Sequence, residues 1–437
     1  MKVAGASSVA LVTGLAGCSG GDGGDGGGDG GDGGTADGGS DGSDGSDGSD
    51  GSDGGDGTTT STDQGPDSFV IGSNHPLSGG LSYVGQGMDN AVKLAAQHKN
   101  AEGGIESLGG AEVEVLSSDN EGAQELGGQV EQTLIDDGAS AITGCFSSPT
   151  TASAVQVAER QEVPHVIDVA AADSIIRDGM SHVYRVHGPS RVSAYDFSRW
   201  VPKLIRDSGD TVDTAAVVAV NNNYGQSIAQ HLTNYLPDYD VEVVLNESVE
   251  PGASTADTTV SSIRNADPDM VTMVVYGGGG LSLVDAMKNQ DYQPPHLTGC
   301  ASPAFSNTDT LSKMGSEMAN GVMNNNFALN PTIERTQEIK SEFQEFADRP
   351  LSALAGMGYT AANVIFAAAE NAGSTDPAAI NEALQTVRVE DHIQAMPPIQ
   401  FANSGENPNA ITPLTQVQDM GINLIYPPEF ADSDPQL

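Results

Sequence analysis

From residue 69 onward the chain alternates short apolar runs with stretches whose apolar residues recur at helical spacing. Phe69-Val70-Ile71 reads as a strand, and the next stretch sets Met88, Ala91, Val92, Ala95 and Ala96 on one stripe, the recurrence expected of an amphipathic helix. Gly103-Gly104 ends it. Val113-Glu114-Val115-Leu116 predicts a second strand, 124–136 a helix, Ala141-Ile142-Thr143 a third strand, 151–160 a helix, and Val166-Ile167, after Pro164, a fourth strand. The plan then restarts. Residues 215–220 are Ala and Val only, the run expected of a parallel strand buried on both faces. Helices over 224–235, 254–265 and 281–289 alternate with strands over 241–245, 270–276 and 296–299. Three more helices are expected near 334–347, 353–372 and 377–386. Repeated β-α-β units mean parallel, doubly wound sheets, and two series of them predict an α/β protein of two doubly wound parallel-sheet lobes.

Such sheets bind ligands beyond the carboxyl ends of their strands, so the segments that follow strands hold the candidate site. After the third strand comes Gly144-Cys145-Phe146-Ser147-Ser148-Pro149-Thr150-Thr151. A hydroxyl-rich turn with free N–H groups at a helix start suits an anion, so Ser147 and Ser148 are candidates to hold a carboxylate. Plain N-capping is the competing role. Pro76-Leu77-Ser78-Gly79 and the residues up to Gly85 are expected at the rim of the cleft. Ala170-Ala171-Ala172-Asp173 follows the fourth strand and offers backbone donors, with Asp173 a possible helix cap. In the second series, Asn221-Asn222-Asn223-Tyr224-Gly225 brings the ring and hydroxyl of Tyr224 to a strand end. Tyr276-Gly277-Gly278-Gly279-Gly280 lacks the P-loop lysine and the dinucleotide spacing; Gly278 and Gly279 are read as the floor of the cleft, where backbone and ligand approach closely. The eight His show no metal-ligand spacing and there is no C-x-x-C, so no catalytic set, metal site or cofactor is expected.

The first 67 residues read differently. Residues 3–17 form a short apolar, small-residue stretch ending in Leu15-Ala16-Gly17-Cys18. It is shorter than the ~20 residues needed to span a bilayer and fits a signal peptide. Its end resembles a lipobox, so Cys18 is expected to carry lipid and anchor the chain. Met1-Lys2 resembles the end of a twin-arginine signal, which predicts a start further upstream. Residues 19–67 carry 13 Asp and no Lys, Arg or Glu, and Ala36 is their one aliphatic side chain. Nothing there can bury a core, so a disordered tether is expected. A G-x-S-x-G match at Gly38–Gly42 lies inside this tract with no strand or helix beside it, and is a product of composition.

Charge narrows the partners. The chain has 60 Asp and Glu against 17 Lys and Arg, a net charge of −43; beyond the tether, 47 acids and 16 bases leave −31. A surface of that sign repels nucleic acid and anionic lipid, so neither is expected as a partner. Acidic faces poor in Lys suit concentrated salt, where screening quenches self-repulsion, and predict a halophile's protein. Beyond Cys18 only Cys145 and Cys300 remain, too few for a disulfide framework, and both are expected unpaired near the cleft.

With these residues in order, residues 69–425 resemble the branched-chain-amino-acid-type solute-binding proteins, the Leu/Ile/Val-binding family. The resemblance is carried by Pro76-Leu77-Ser78-Gly79 with Gly85 and Ala91, Gly103-Gly104-Ile105, Asp119, Gly144 with Ser147-Ser148 and Thr151, Asn223-Tyr224-Gly225, and Tyr276-Gly277-Gly278. It implies the type I periplasmic-binding-protein fold, with a three-strand hinge crossing near 187, 324 and 400. The lobes would then be 68–187 plus 324–400 and 188–323 plus 401–437. It implies that Ser148 and the backbone at Ala170 hold a carboxylate and that Tyr224 lines the cleft. At Ala172 the family's usual Thr hydroxyl is missing. The acid expected to face a ligand ammonium would fall near Ala301, where there is none, and Gly279 replaces an aromatic. The resemblance implies a non-enzymatic receptor for an ABC importer, with permease and ATPase subunits as partners. Together with the lipobox and the acidic surface it predicts a haloarchaeal lipoprotein at the outer face of the cell membrane. The ligand would be an amino acid or a related polar solute, such as an amide or urea-like compound. A ligand sensor serving a membrane receptor is the alternative.

Overall fold

The structure, a computed structural model, describes residues 66–436; Cys18, the predicted signal segment 1–18 and residues 19–65 of the predicted tether lie outside the described residues. The first part of the described chain runs β1 (Ser68–His75), α1 (Ser82–Ala101), β2 (Glu112–Asp119), α2 (Gln124–Asp136), β3 (Ala141–Gly144), α3 (Ser148–Gln161), β4 (His165–Ile167) and β5 (Val183–Arg185). Its five strands form one parallel sheet in the order β2-β1-β3-β4-β5. The second part runs α4 (Ser190–Asp207), β6 (Thr214–Val220), α5 (Asn223–Tyr235), β7 (Glu242–Val249), α6 (Asp257–Ala266), β8 (Met270–Val274), α7 (Gly277–Asn289), β9 (His296–Cys300), α8 (Thr308–Met314), α9 (Ser316–Ala319) and β10 (Met323–Asn325). Then come α10 (Glu334–Ala347), α11 (Ala353–Ala372), α12 (Pro377–Leu384), β11 (Arg388–Val389), β12 (Ile399–Gln400), β13 (Leu414–Gln418) and β14 (Gly421–Tyr426).

The second sheet has seven strands in the order β14-β13-β10-β9-β8-β6-β7. Its strands β7, β6, β8, β9 and β10 are parallel, and β13 and β14 add an antiparallel edge. Each sheet has its own core. Around the second, β6 and β8 are buried along almost their whole length between α4, α5 and α7. Around the first, α10, α11 and α12 return after β10 to pack on the face that α1 covers. Helix α11 is buried nearly all round, as a helix between a sheet and other helices must be, and it lies along α1.

The chain therefore passes between the sheets three times: after Arg185, after Asn325 and between Gln400 and Leu414. The second passage comes later than the expected return at 324, because β10 extends the second sheet through Asn325 by pairing with β9 and β13. Strands β5, β10, β13 and β14 and helix α4 were not among the predicted elements. The three-residue strands are too short to show alternation, and β13 and β14 carry Gln and Asn among their apolar residues.

Candidate functional site

The strand-end segments meet where the two sheets face one another. Strand β3 ends at Gly144, whose φ of +140° belongs to glycine's range. A Cβ there would lie 2.0 Å from the Asn74 carbonyl oxygen. The chain then turns through Phe146 into α3. In the second sheet, β6 turns into α5 at Gly225, where a Cβ would lie 2.1 Å from the Val220 carbonyl oxygen. These two tight turns deliver Ser148 and Tyr224 to one small cavity of about 20 Å3, which Phe146, Ala171, Tyr276, Ala301 and Phe327 also line.

Ser148 is buried, and its Oγ accepts a hydrogen bond from the Ala172 amide at 3.2 Å. The hydroxyl thus ties the start of α3 to the segment after β4 and keeps its own proton to donate. Ser147 has the structural role: its Oγ accepts from the Thr150 amide at 3.4 Å and meets Thr150 Oγ1 at 2.6 Å, capping α3. Tyr224 is 6 % exposed and donates to the Ala301 carbonyl at 2.7 Å. Its ring lies 5.3 Å from that of Tyr276, which in turn lies 5.9 Å from Phe146, so rings from both lobes wall the cavity. Burial pushes the Tyr224 hydroxyl up and that of Tyr276 to about 12, so both stay neutral donors. Burial also raises the thiols of Cys145 and Cys300 well above the usual range. Both are free and buried, each one residue from a residue that lines the cavity, Phe146 and Ala301.

Other candidates fall elsewhere. Ala170 and Ala172 point away from the cavity into a cluster with Val155, Ile167 and Ile175; the side chain between them, Ala171, faces it instead. Gly278 and Gly279 form the first turn of α7 and do not line the cavity; a Cβ on Gly278 would meet nothing within 4 Å. The close approach expected of them falls at Gly280, where a Cβ would lie 2.6 Å from that of Ala304. Ala301 does face the cavity, in a left-handed conformation with φ of +48°. Asp173 caps no helix. It pairs with Arg191 at 2.5 Å and reaches Ser227 Oγ and His231 Nε2 of α5, both at 3.0 Å, so it joins the two lobes directly.

Two histidines that the sequence left scattered are buried in strands of the first sheet, each against a carboxylate. His75 Nε2 lies 2.7 Å from Asp168 and His165 Nδ1 lies 2.7 Å from Glu131. Burial disfavours charge on His165, but Glu131 outweighs it and the pKa is raised. They brace the ends of β1 and β4 behind the cleft, and the acids that partner them are too distant in sequence to be read as pairs. Among the described residues no group of three or more His, Cys, Asp or Glu is placed to hold a metal ion. No helix among them is long and apolar enough to cross a membrane.

Phe327 is one of the lining residues that no motif announced, with Val169, Asn326 and Leu354. It sits on the second passage between lobes, and its ring lies 4.7 Å from that of His187 on the first. The profile of the periplasmic binding proteins matches residues 68–421, across both sheets.

The chain belongs to the periplasmic binding protein family.

Among relatives, it is 26% identical over 382 residues to the Leu/Ile/Val-binding protein homolog 7 of Brucella abortus (strain 2308), a match covering 84% of this chain and 93% of that one. The substrate-binding protein LivJ of Streptococcus pneumoniae, solved with isoleucine, superposes with a TM-score of 0.71 at 18% identity, covering 82% of this chain and all of that one (100%). A solute-binding protein of Rhodopseudomonas palustris BisB5, solved with 3,4-dihydroxybenzoic acid, gives 0.70 at 19% identity, with 85% and 98% covered. The architecture is thus the type I periplasmic-binding-protein fold, two parallel-sheet lobes facing across a cleft. As in other periplasmic binding proteins, the cleft lies where the carboxyl ends of both sheets converge.

Proposed function

We propose that this periplasmic binding protein is the extracellular solute receptor of an ABC importer. It closes its lobes over an amino acid or related small polar solute and presents the closed form to permease and ATPase subunits. The observation that carries this reading is the convergence of Ser148, from the first sheet, and Tyr224, from the second, on one cavity. A solute touching both favours the closed arrangement by whatever it gains there alone. The relatives named for Leu, Ile and Val binding, and the neighbours solved with isoleucine and with 3,4-dihydroxybenzoic acid, support a small carboxylate-bearing solute.

In this reading Ser148 donates its hydroxyl proton to a ligand oxygen, the Ala170–Ala172 segment supplies backbone groups, and Tyr224 covers the apolar part. The lobes are 68–187 with the return segment up to 400, and the remainder of the folded chain. Ala301 in place of an acid argues against a site built around a ligand ammonium, which favours amides or acids over free α-amino acids. Cys18 is the lipid anchor, supported by Leu15-Ala16-Gly17-Cys18, and the acidic composition supports a life in concentrated salt. The test is a thermal-shift and scattering screen of purified protein against amino acids, amides and organic acids. A solute that both raises the melting temperature saturably and compacts the protein is expected. Failure of every class to do either would overturn the receptor reading.

A further inference from the structure

Behind Phe327 the space between the lobes opens again. A second cavity of about 290 Å3 lies there, and Phe327 lines both it and the first. The first holds about 20 Å3; a single water needs about 10–15 Å3 of such space, whereas small-molecule sites begin near ~300 Å3. Of the two cavities that Phe327 lines, only the larger is of solute size. Its walls come from both lobes: Tyr83, Lys340 and Arg349 on one side, Thr415 and Asp432 on the other.

Its charge is unusual for this molecule. Residues 68–437 carry only 16 Lys and Arg against 47 acids, and Lys93, Lys99, Lys313 and Arg388 each pair with a carboxylate. Lys340 and Arg349, both half-buried at this one cavity, enter no ion pair or side-chain hydrogen bond among the described residues. Arg349 is nonetheless held in place. Its guanidinium stacks 3.8 Å from the centre of the Tyr83 ring, a contact that fixes the group while leaving its N–H edge to bind. Asp432 is the one carboxylate lining the cavity, and its Oδ1 already accepts the Leu424 amide at 2.8 Å. The cavity is left with a net positive charge inside a strongly anionic protein.

We propose that this cavity is a solute subsite in which Arg349 and Lys340 take a carboxylate, so that the solute is an organic acid whose apolar body lies against Phe327. The inference rests on the receptor reading and names its substrate class. A planar carboxylate matches the forked donors of an arginine, and a second cation lining the same cavity adds charge without a geometric demand. No ligand ammonium is required, consistent with Ala301 standing in the other cavity.

The experiment is calorimetric titration with benzoate, benzamide, glutarate, leucine and acetamide, using wild type, Arg349→Gln, Lys340→Gln and Ser148→Ala. Benzoate or glutarate is expected to bind saturably and benzamide not. Arg349→Gln and Lys340→Gln should each weaken the acid tenfold or more, about 1.4 kcal/mol. The melting temperature of solute-free Lys340→Gln should stay at the wild-type value, because Lys340 pairs with no side chain, and that of Arg349→Gln should fall only slightly, with the loss of the Tyr83 stack. Acid binding indifferent to both substitutions overturns the inference. So does binding of leucine or acetamide that Ser148→Ala abolishes and the two cation variants leave intact, although the receptor reading then stands. No binding by any probe overturns both.

Discussion

Ser148 accepts one hydrogen bond from the Ala172 amide and keeps its own proton to give, at the start of a helix and against the cleft. Ser148→Ala leaves that amide without its partner and removes the donor a solute oxygen would use. Losing a hydrogen bond to a charged group costs about 1.5–3 kcal/mol, so solute affinity should fall about tenfold to a hundredfold, read by titration. Tyr224 demands a gentler change. At 6 % exposure it is part of the second-lobe core, so truncation to Ala would cost about 3–5 kcal/mol of stability and confuse folding with binding. Tyr224→Phe keeps the ring and removes only the hydrogen bond to the Ala301 carbonyl. We expect a loss of about 1–3 kcal/mol in chemical unfolding and weaker solute binding, because that bond sets the cavity wall. Both residues were legible in the sequence because each follows a strand and opens a helix. Phe327 was not, since it lies on a passage between sheets that no periodicity marks.

At the scale of elements, the connections between lobes are where titration should be felt. His187, on the first passage, is buried; burial first and the Arg185 charge second hold its pKa down to about 3. Arg185 is itself buried, donates to the Ala171 and Ala172 carbonyls, and lies 3.4 Å from Glu406 on the third passage. Charging His187 would thus place a second cation beside a desolvated guanidinium. The folded-state pKa lies below the ordinary histidine value of 6.5. Between those two values the unfolded chain binds more protons than the folded one, so stability falls as pH falls through that window and is fully present above it. His187→Gln should remove this dependence. The stability of the variant minus that of wild type is therefore expected to increase steadily as pH drops from about 6.5 towards 3, measured by urea unfolding across that range. A constant difference would show that His187 does not titrate with folding.

Taken whole, the folded chain holds −31 formal charges in residues 68–437. Exposed helix pairs such as Lys203–Asp207 and Lys313–Asp309 contribute little. Self-repulsion is the larger electrostatic effect. At about 1 M salt the Debye length is near 3 Å, and at about 0.1 M it reaches about 10 Å, so dilution lets more of these charges act on one another. The melting temperature should therefore rise markedly from low to molar potassium chloride. An unchanged value would refute adaptation to concentrated salt.

The alternation of apolar runs and helical stripes determined the two series of β-α-β units by itself, because burial on both faces forces Ala and Val runs such as 215–220 and amphipathic helices between them. It also pointed to the strand ends as the place for a site. Tertiary structure decided what those ends do. It turned Ala171 towards the cleft and its neighbours Ala170 and Ala172 into the core, since successive residues of an extended segment face opposite ways. It joined Asp173 to Ser227 and His231, residues more than fifty positions apart. It brought Arg349 over Tyr83 from the far side of the sequence. Contacts of this kind depend on how sheets and passages close on one another, and local periodicity carries no record of that closure.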